Sequence, residues 1–137
     1  MLEIPDFFWT VEYDGENFPR ESVGYQLTGG ANCQVFAYAI LQHFGIAIPP
    51  FRSSDLWSDT RFTRRVSGYR PFDLLLFNRT EAAWGAHVAL FVGENKAIHL
   101  SASEGRPAIW RLEDFAMREE YAFLLGGKRV LVSETNM

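Results

Sequence analysis

The chain has 137 residues, 47% hydrophobic and 22% charged, which suits one globular domain with a single core. Its formal net charge of −4 argues against nucleic acid or an anionic membrane as the main partner. One cysteine excludes an internal disulfide and a cysteine-rich metal cluster, and 12 Phe with 4 Trp predict a core built from large rings.

Residues 1–24 mix aromatics with Pro5, Asp14, Gly15 and Pro19, and read as an irregular arm with one short helix, packed on a single domain formed by residues 25–137. The opening residues carry Glu3 and Asp6 and lack the basic region and apolar run of a signal peptide. No apolar run is long enough to span a bilayer. The expectation is a chain that is cytoplasmic, or exported by a route without a cleavable leader.

Residues 32–44 form the clearest helical pattern. Asn32 suits the N-cap, Gly45 the position after the last turn, and Pro49-Pro50 prevents continuation. Cys33, Phe36, Ala37, Ile40 and Phe44 recur at helical spacing, predicting one core-facing stripe. In the mixed stretch 51–72, Ser54 can cap a short helix through Trp57, and Arg61, Arg64 and Arg65 read as a solvated basic face. Strands are predicted at 73–78, 86–92, 96–102 and 108–111, then a helix at 112–120 and a closing strand at 128–132. One helix followed by a meander of antiparallel strands predicts an α+β fold.

The chemistry centres on Cys33. A thiol attacks as thiolate, and a helix N-terminus and a nearby imidazolium both favour that form. Cys33 follows the N-cap, so the first of these is expected directly, and Gly29-Gly30-Ala31 leaves uncrowded backbone before it. A lone cysteine on an apolar helix face is more often an inert core residue. Two histidines change the balance through strand register. If Val92 pairs with Lys96 across a three-residue loop, Gly93-Glu94-Asn95, with Asn95 left-handed, then Ala89 faces His99 and His87 faces Ser101. His87 and His99 then share one face as diagonal neighbours, about 7–8 Å apart at the backbone. A two-residue loop would put them on opposite faces. Val88, Leu90, Val92, Ile98 and Leu100 make the opposite face core, while Ala89 and Ala97 leave room for a helix on the histidine face. In this reading His87 is the base for Cys33, His99 orients His87, and backbone N–H groups at the helix start, that of Cys33 included, help form an oxyanion hole.

These residues resemble the NlpC/P60 family of cysteine peptidases. The likeness runs from Tyr25 through Gly29-Gly30 and Asn32-Cys33-Gln34, then Phe72-Asp73-Leu74-Leu75-Leu76-Phe77, His87-Val88-Ala89-Leu90-Phe91, Ala97-Ile98-His99 and Gly127-Lys128-Arg129-Val130. The resemblance implies a papain-like fold, with a nucleophile helix packed on a central antiparallel sheet and a catalytic triad of Cys33, His87 and His99. It also implies hydrolysis of peptide bonds in peptidoglycan stem peptides, of the γ-D-glutamyl-diamino acid type, without a cofactor. Tyr25 is placed beside the nucleophile by the same resemblance, its hydroxyl holding substrate or oxyanion. Asn32 and Gln34 stand where relatives carry Asp and Ser, so the substrate-binding or oxyanion-supporting groups beside the thiol are altered and an ammonium loses its carboxylate.

Other residues read as structural: His43 near the helix end, Ser101 and Ser103, and Trp84-Gly85 as either a cleft wall or a loop anchor. Competing functions keep the triad but change the acceptor, giving an acyltransferase or a protein-directed amidase or deamidase, which as an effector would have a cognate immunity protein. A non-catalytic interaction domain with buried Cys33, and a zinc site held by Cys33, His87 and His99, are further readings.

Overall fold

The computed structural model describes residues 1–21 and 24–132. Three helices, α1 (Cys33–His43), α2 (Ser53–Ser58) and α3 (Leu112–Ala116), accompany six strands. The strands are β1 (Thr63–Val66), β2 (Leu74–Asn78), β3 (His87–Gly93), β4 (Lys96–His99), β5 (Ala108–Arg111) and β6 (Phe123–Val130). They form one antiparallel sheet in the order β1-β6-β2-β3-β4-β5. The chain is therefore α+β, and β2 to β5 are the expected meander. The closing strand departs from it, returning to lie between β1 and β2.

One strand, β1, was hidden in the sequence, and β6 was read only in part. The closing strand, expected at 128–132, begins earlier, at Phe123, and takes in Gly126 and Gly127. Both glycines lie inside β6, because aromatic rings occupy the space of their missing side chains. A Cβ on Gly127 would stand 2.8 Å from the Tyr69 ring, and one on Gly126 would stand 3.0 Å from Trp57. Gly126 has φ +147° and sits where the pairing of β2 with β6 shifts register, between Leu76 and Phe77. The basic cluster contains β1, an edge strand paired with β6 through Thr63 and Val130. Its exposed Arg64 discourages further pairing, as charge on an edge strand does, while the guanidinium of Arg65 lies 4.1 Å from the Trp57 ring centre. Asp73, 1% exposed, fastens β6 to the start of β2 by a bidentate pair with Arg129, both contacts 2.8 Å.

The sheet is covered on both faces. On the first, α1 packs over Leu74, Leu76, Val88, Leu90, Val92, Ile98 and Leu100. Residues 34–41 are all buried, so α1 is enclosed all round and not on one stripe, because Phe8, Val11, Ile48 and Leu56 close over its outer side. On the second face lie Leu75, Phe77, Ala89, Phe91 and Ala97, covered by Phe115 and Tyr121. The helix predicted at 112–120 stops at Ala116, since Arg118 takes an extended conformation (φ −106°, ψ 130°) before a 3₁₀ turn at Glu119–Tyr121. That break lets Phe115 and Tyr121 both enter the same face. Residues 1–21 follow the core closely, with a 3₁₀ turn at Asp6–Thr10 and a bond from Leu2 N–H to Val92 O of 2.7 Å. Among the described residues no helix is long and apolar enough to cross a membrane.

Candidate active site

Cys33 is the first residue of α1. Asn32 caps the helix from an extended conformation, its Oδ1 accepting the Val35 N–H at 2.9 Å. Its Nδ2 lies 3.4 Å from Gln34 Oε1, and both side chains are buried. The Asn32 side chain is thus committed to the cap. The stretch before Cys33 is gripped by the N-terminal arm through a parallel bridge of Tyr13 with Ala31, by Asp14 N–H to Ala31 O (2.9 Å) and Asn32 N–H to Asn17 O (2.9 Å). A Cβ on Gly30 would stand 2.7 Å from the Glu12 carbonyl oxygen. Gly30 is therefore bare to admit the arm, whereas Gly29 has open space around it.

Cys33 is half-buried and packs against the first-face core. Burial pushes its pKa up, opposed by hydrogen bonds from the backbone N–H groups of Val88, Gln34 and Cys33 itself and by the Arg52 charge. The net direction is upward, which corrects the expectation of a thiolate favoured by the helix start: the N–H groups are present, but burial outweighs them.

The histidines reach one face by a route other than the expected loop. Gly93 pairs with Lys96, so the hairpin closes on two residues, Glu94 (φ 53°) and Asn95 (φ 59°), both left-handed as in a type I′ turn. A bulge between Phe91 and Gly93 then restores the pairing of Phe91 with Ala97 and Leu90 with Ile98. The bulge undoes the slip that a two-residue turn alone would cause. His87 Nε2 and His99 Nδ1 lie 2.9 Å apart with their rings at 83°. Both belong to the second face, so nucleophile helix and histidines lie on opposite sides of the sheet. Their elements meet at the start of β3, where Val88, the residue after His87, belongs to the core cluster against which Cys33 packs.

Aromatic rings enclose the pair. Tyr121 stacks on His87 (4.6 Å, 28°), while Trp110 and Phe115 stand 4.2 and 4.7 Å from His99. Burial lowers the His87 pKa to about 3; burial, then the neighbouring His87 and Arg118, lower that of His99 to about 2. Thiol and imidazoles therefore rest uncharged together at neutral pH.

Tyr25 is not brought to this place. Its hydroxyl donates to the Ile48 carbonyl, its N–H to Gln42 Oε1 (3.2 Å), and its ring meets Tyr38, all along the second half of α1. Burial raises its pKa to about 12. Tyr13, which sequence reasoning missed, takes the position near the nucleophile. Burial first, then the Cys33, Tyr121 and Asp14 groups, raise its hydroxyl pKa. No periodicity marks an isolated tyrosine in an irregular arm. Trp110, Phe115 and Tyr121 left a fainter signal, the small Ala89 and Ala97 of the face they cover. His43 sits edge-on to Phe7, Phe8 and Phe44, and Trp84 is 82% exposed, which removes the loop-anchor reading. Ser101 Oγ accepts the Glu104 N–H at 3.2 Å and lies 3.3 Å from Ser103 Oγ, closing a turn. The zinc reading fails on geometry. Two nitrogens on one tetrahedral zinc stand roughly 3.3 Å apart with lone pairs converging on the ion, whereas these two share a proton directly at 2.9 Å. Among the described residues no group of three His, Cys, Asp or Glu is arranged to hold a metal.

The sequence model of the NlpC/P60 family matches residues 15–122. Comparison with curated proteins finds no match. Among solved structures, the chain is similar to the NlpC/p60 domain of the peptidoglycan hydrolase SagA, at 19% identity and a TM-score of 0.59 over 91% of each chain. It is similar to an NlpC/P60 family protein from Bacillus cereus at 25% identity and a TM-score of 0.54, over 73% of this chain and 31% of that one. The peptidoglycan hydrolase RipB from Mycobacterium tuberculosis is similar at 17% identity and a TM-score of 0.58, over 91% of this chain and 59% of that one. With the family's sequence model spanning most of its length, the chain belongs to the NlpC/P60 family.

Proposed function

We propose that the chain is a cysteine hydrolase that cleaves an amide bond in peptidoglycan stem peptides, with Cys33 as nucleophile, His87 as base and His99 as its orienting partner. The observation that carries this reading is the 2.9 Å contact of His87 Nε2 with His99 Nδ1, at the start of a strand whose next residue, Val88, belongs to the core cluster against which Cys33 packs. Family membership and the peptidoglycan hydrolases among the similar structures support the substrate class.

With Nε2 engaged by His99, the Nδ1 of His87 is the nitrogen left for the thiol. It takes the thiol proton as Sγ adds to the amide carbon, so attack proceeds from a neutral pair without a standing thiolate. The oxyanion lies near the N–H groups of the α1 start, those of Cys33 and Gln34. When the C–N bond breaks, His87 returns the proton to the leaving amine and an acyl thioester remains. Water, deprotonated by the same imidazole, then releases the acid and restores the thiol.

A second reading, transfer of the same thioester to an amine or deamidation of a protein, is favoured by one observation. Asn32 is neutral and occupied by its cap, so no carboxylate waits at that position for the free amine of a stem peptide. Digestion of defined muropeptides followed by mass spectrometry separates the two. Hydrolysis by the native chain and none by Cys33→Ala is expected. Intact muropeptides beside a Cys33 that iodoacetamide alkylates would overturn the wall substrate in favour of transfer or a protein target. A Cys33 that reacts only in denaturant would overturn every catalytic version.

A further inference from the structure

His99 is 1% exposed, and among the described residues its Nε2 is a buried side-chain nitrogen with no hydrogen-bond partner. A buried polar atom left unpaired carries a cost, so its surroundings decide whether it bears a proton or a lone pair. Those surroundings are rings. Trp110 lies 4.2 Å from the His99 centroid at 68°, Phe115 4.7 Å at 57° and Tyr121 6.0 Å at 85°.

The neutral pair has two arrangements around the single proton shared at 2.9 Å. In one, His87 Nε2–H donates to His99 Nδ1. The remaining proton of His99 then sits on its unpaired, ring-enclosed Nε2, and His87 Nδ1 carries a lone pair. In the other, His99 Nδ1–H donates to His87 Nε2, a bare lone pair on His99 Nε2 faces the rings, and His87 Nδ1 is already protonated. Only the first can accept a proton from Cys33. An aromatic face is the negative end of the ring quadrupole, so it attracts an N–H and repels a lone pair.

We propose that Trp110 is a positioning residue that selects the working tautomer of the histidine pair, its indole face serving as acceptor for the Nε2–H of His99. Trp110 touches neither the thiol nor any reacting atom; it acts two side chains away, through His99 and then His87. The guanidinium of Arg118 lies over the Trp110 ring, 4.6 Å from its centre, and is itself tied to Glu104 at 3.7 Å. Phe115 and Tyr121 complete the enclosure but stand farther from His99.

The test is ¹⁵N NMR of the histidine side chains at neutral pH, with His43 as an internal comparison outside the pair. In the native chain both His87 and His99 are expected as Nε2–H tautomers, with the His99 Hε2 proton shifted upfield by a ring face. A native His99 protonated on Nδ1, or an Hε2 without upfield displacement, overturns the proposal before any variant is made. Trp110→Leu keeps an apolar neighbour but removes the acceptor, so the share of His99 in the Nδ1–H form should rise about fivefold or more. Trp110→Phe retains a ring face and should restore the native tautomer. A Trp110→Leu chain that folds and keeps the native tautomer ratio sinks the selection role. The kinetic arm alone rests on the proposed function: kcat should fall in Trp110→Leu with KM nearly unchanged and recover in Trp110→Phe. The NMR arm reads the tautomer whether or not His87 serves as the base, so failure of one reading is distinguishable from failure of the other.

Discussion

The two faces of the sheet are built from the same strands, yet they use burial differently. Under α1 the sheet residues Leu74, Leu76, Val88, Leu90, Val92 and Ile98 are aliphatic, so their burial contributes packing alone. On the other face, alternate residues of β3 and β4 present His87, Ala89, Phe91, Ala97 and His99 to a lid of aromatic rings. Burial there holds two imidazoles neutral and fixes their mutual direction, which costs stability wherever an unfolded histidine would be charged. Neighbouring positions of a strand thus serve stability on one side and the site on the other. Substitutions should separate the two roles.

The widest separation compares His87→Ala with Leu90→Ala, three residues apart on opposite faces. On the proposed mechanism, His87→Ala should lower turnover of a cleavable stem peptide by at least about 10³-fold, the cost of losing a base that acts with its nucleophile. Leu90→Ala should leave kcat within about twofold while lowering unfolding free energy by about 2–5 kcal/mol. A Leu90→Ala chain that folds but loses turnover would mean that the α1 face also tunes the site.

Next comes pH. Both histidines have folded pKa values well below the ordinary 6.5, about 3 and about 2. The unfolded chain therefore binds protons that the folded chain refuses, and stability falls as pH drops below about 6.5. Each histidine contributes about 1.4 kcal/mol per pH unit, or about 2 kcal/mol at pH 5. Urea melts at pH 7 and pH 5 should show the combined loss, and His99→Gln should remove about half of it. A native chain equally stable at both values would contradict the buried neutral pair. Thiol reactivity gives a companion reading: with the Cys33 pKa raised, alkylation of the folded chain should climb on the alkaline side of the usual thiol range.

Much of this contrast was legible in the sequence, and the failures share a cause. The α1 helix, the strand alternation of 87–92 and the pairing of Leu90 with Ile98 follow from periodicity, caps and turn residues, which are local. The shared face of the histidines was anticipated, but for the wrong turn. Asn95 does take the left-handed position, yet Glu94 takes it too, and only the bulge at Val92 repairs the register. A bulge has no composition of its own. The first half of β6, with Gly126 and Gly127, was not read as strand because the rings that need their bareness, Trp57 and Tyr69, come from distant chain. Tyr25 was placed at the site by the family resemblance, while Tyr13 arrives near Cys33 through a bridge to Ala31 that no local pattern announces.

The smallest effects concern the loop that delivers His87. Its shape is held by Asn78 at the end of β2, whose Nδ2 donates to Ala82 O (2.8 Å) and Trp84 O (3.2 Å) while its Oδ1 accepts the Arg79 N–H (2.9 Å). Trp84 itself contributes only its carbonyl to that arrangement, its indole standing largely in solvent. Asn78→Ala should therefore cost about 1 kcal/mol and lower kcat a few-fold, because the start of β3 carries both His87 and the Val88 N–H. Trp84→Ala should change stability by less than about 0.5 kcal/mol and leave kcat on a short peptide unchanged. Thermal melts and single-turnover rates on the pair would decide the matter. If Trp84→Ala were the more damaging of the two, the loop would be held by its indole and not by its backbone, and the boundary drawn here between the enclosed histidine face and the solvent beside it would lie one residue cluster further out.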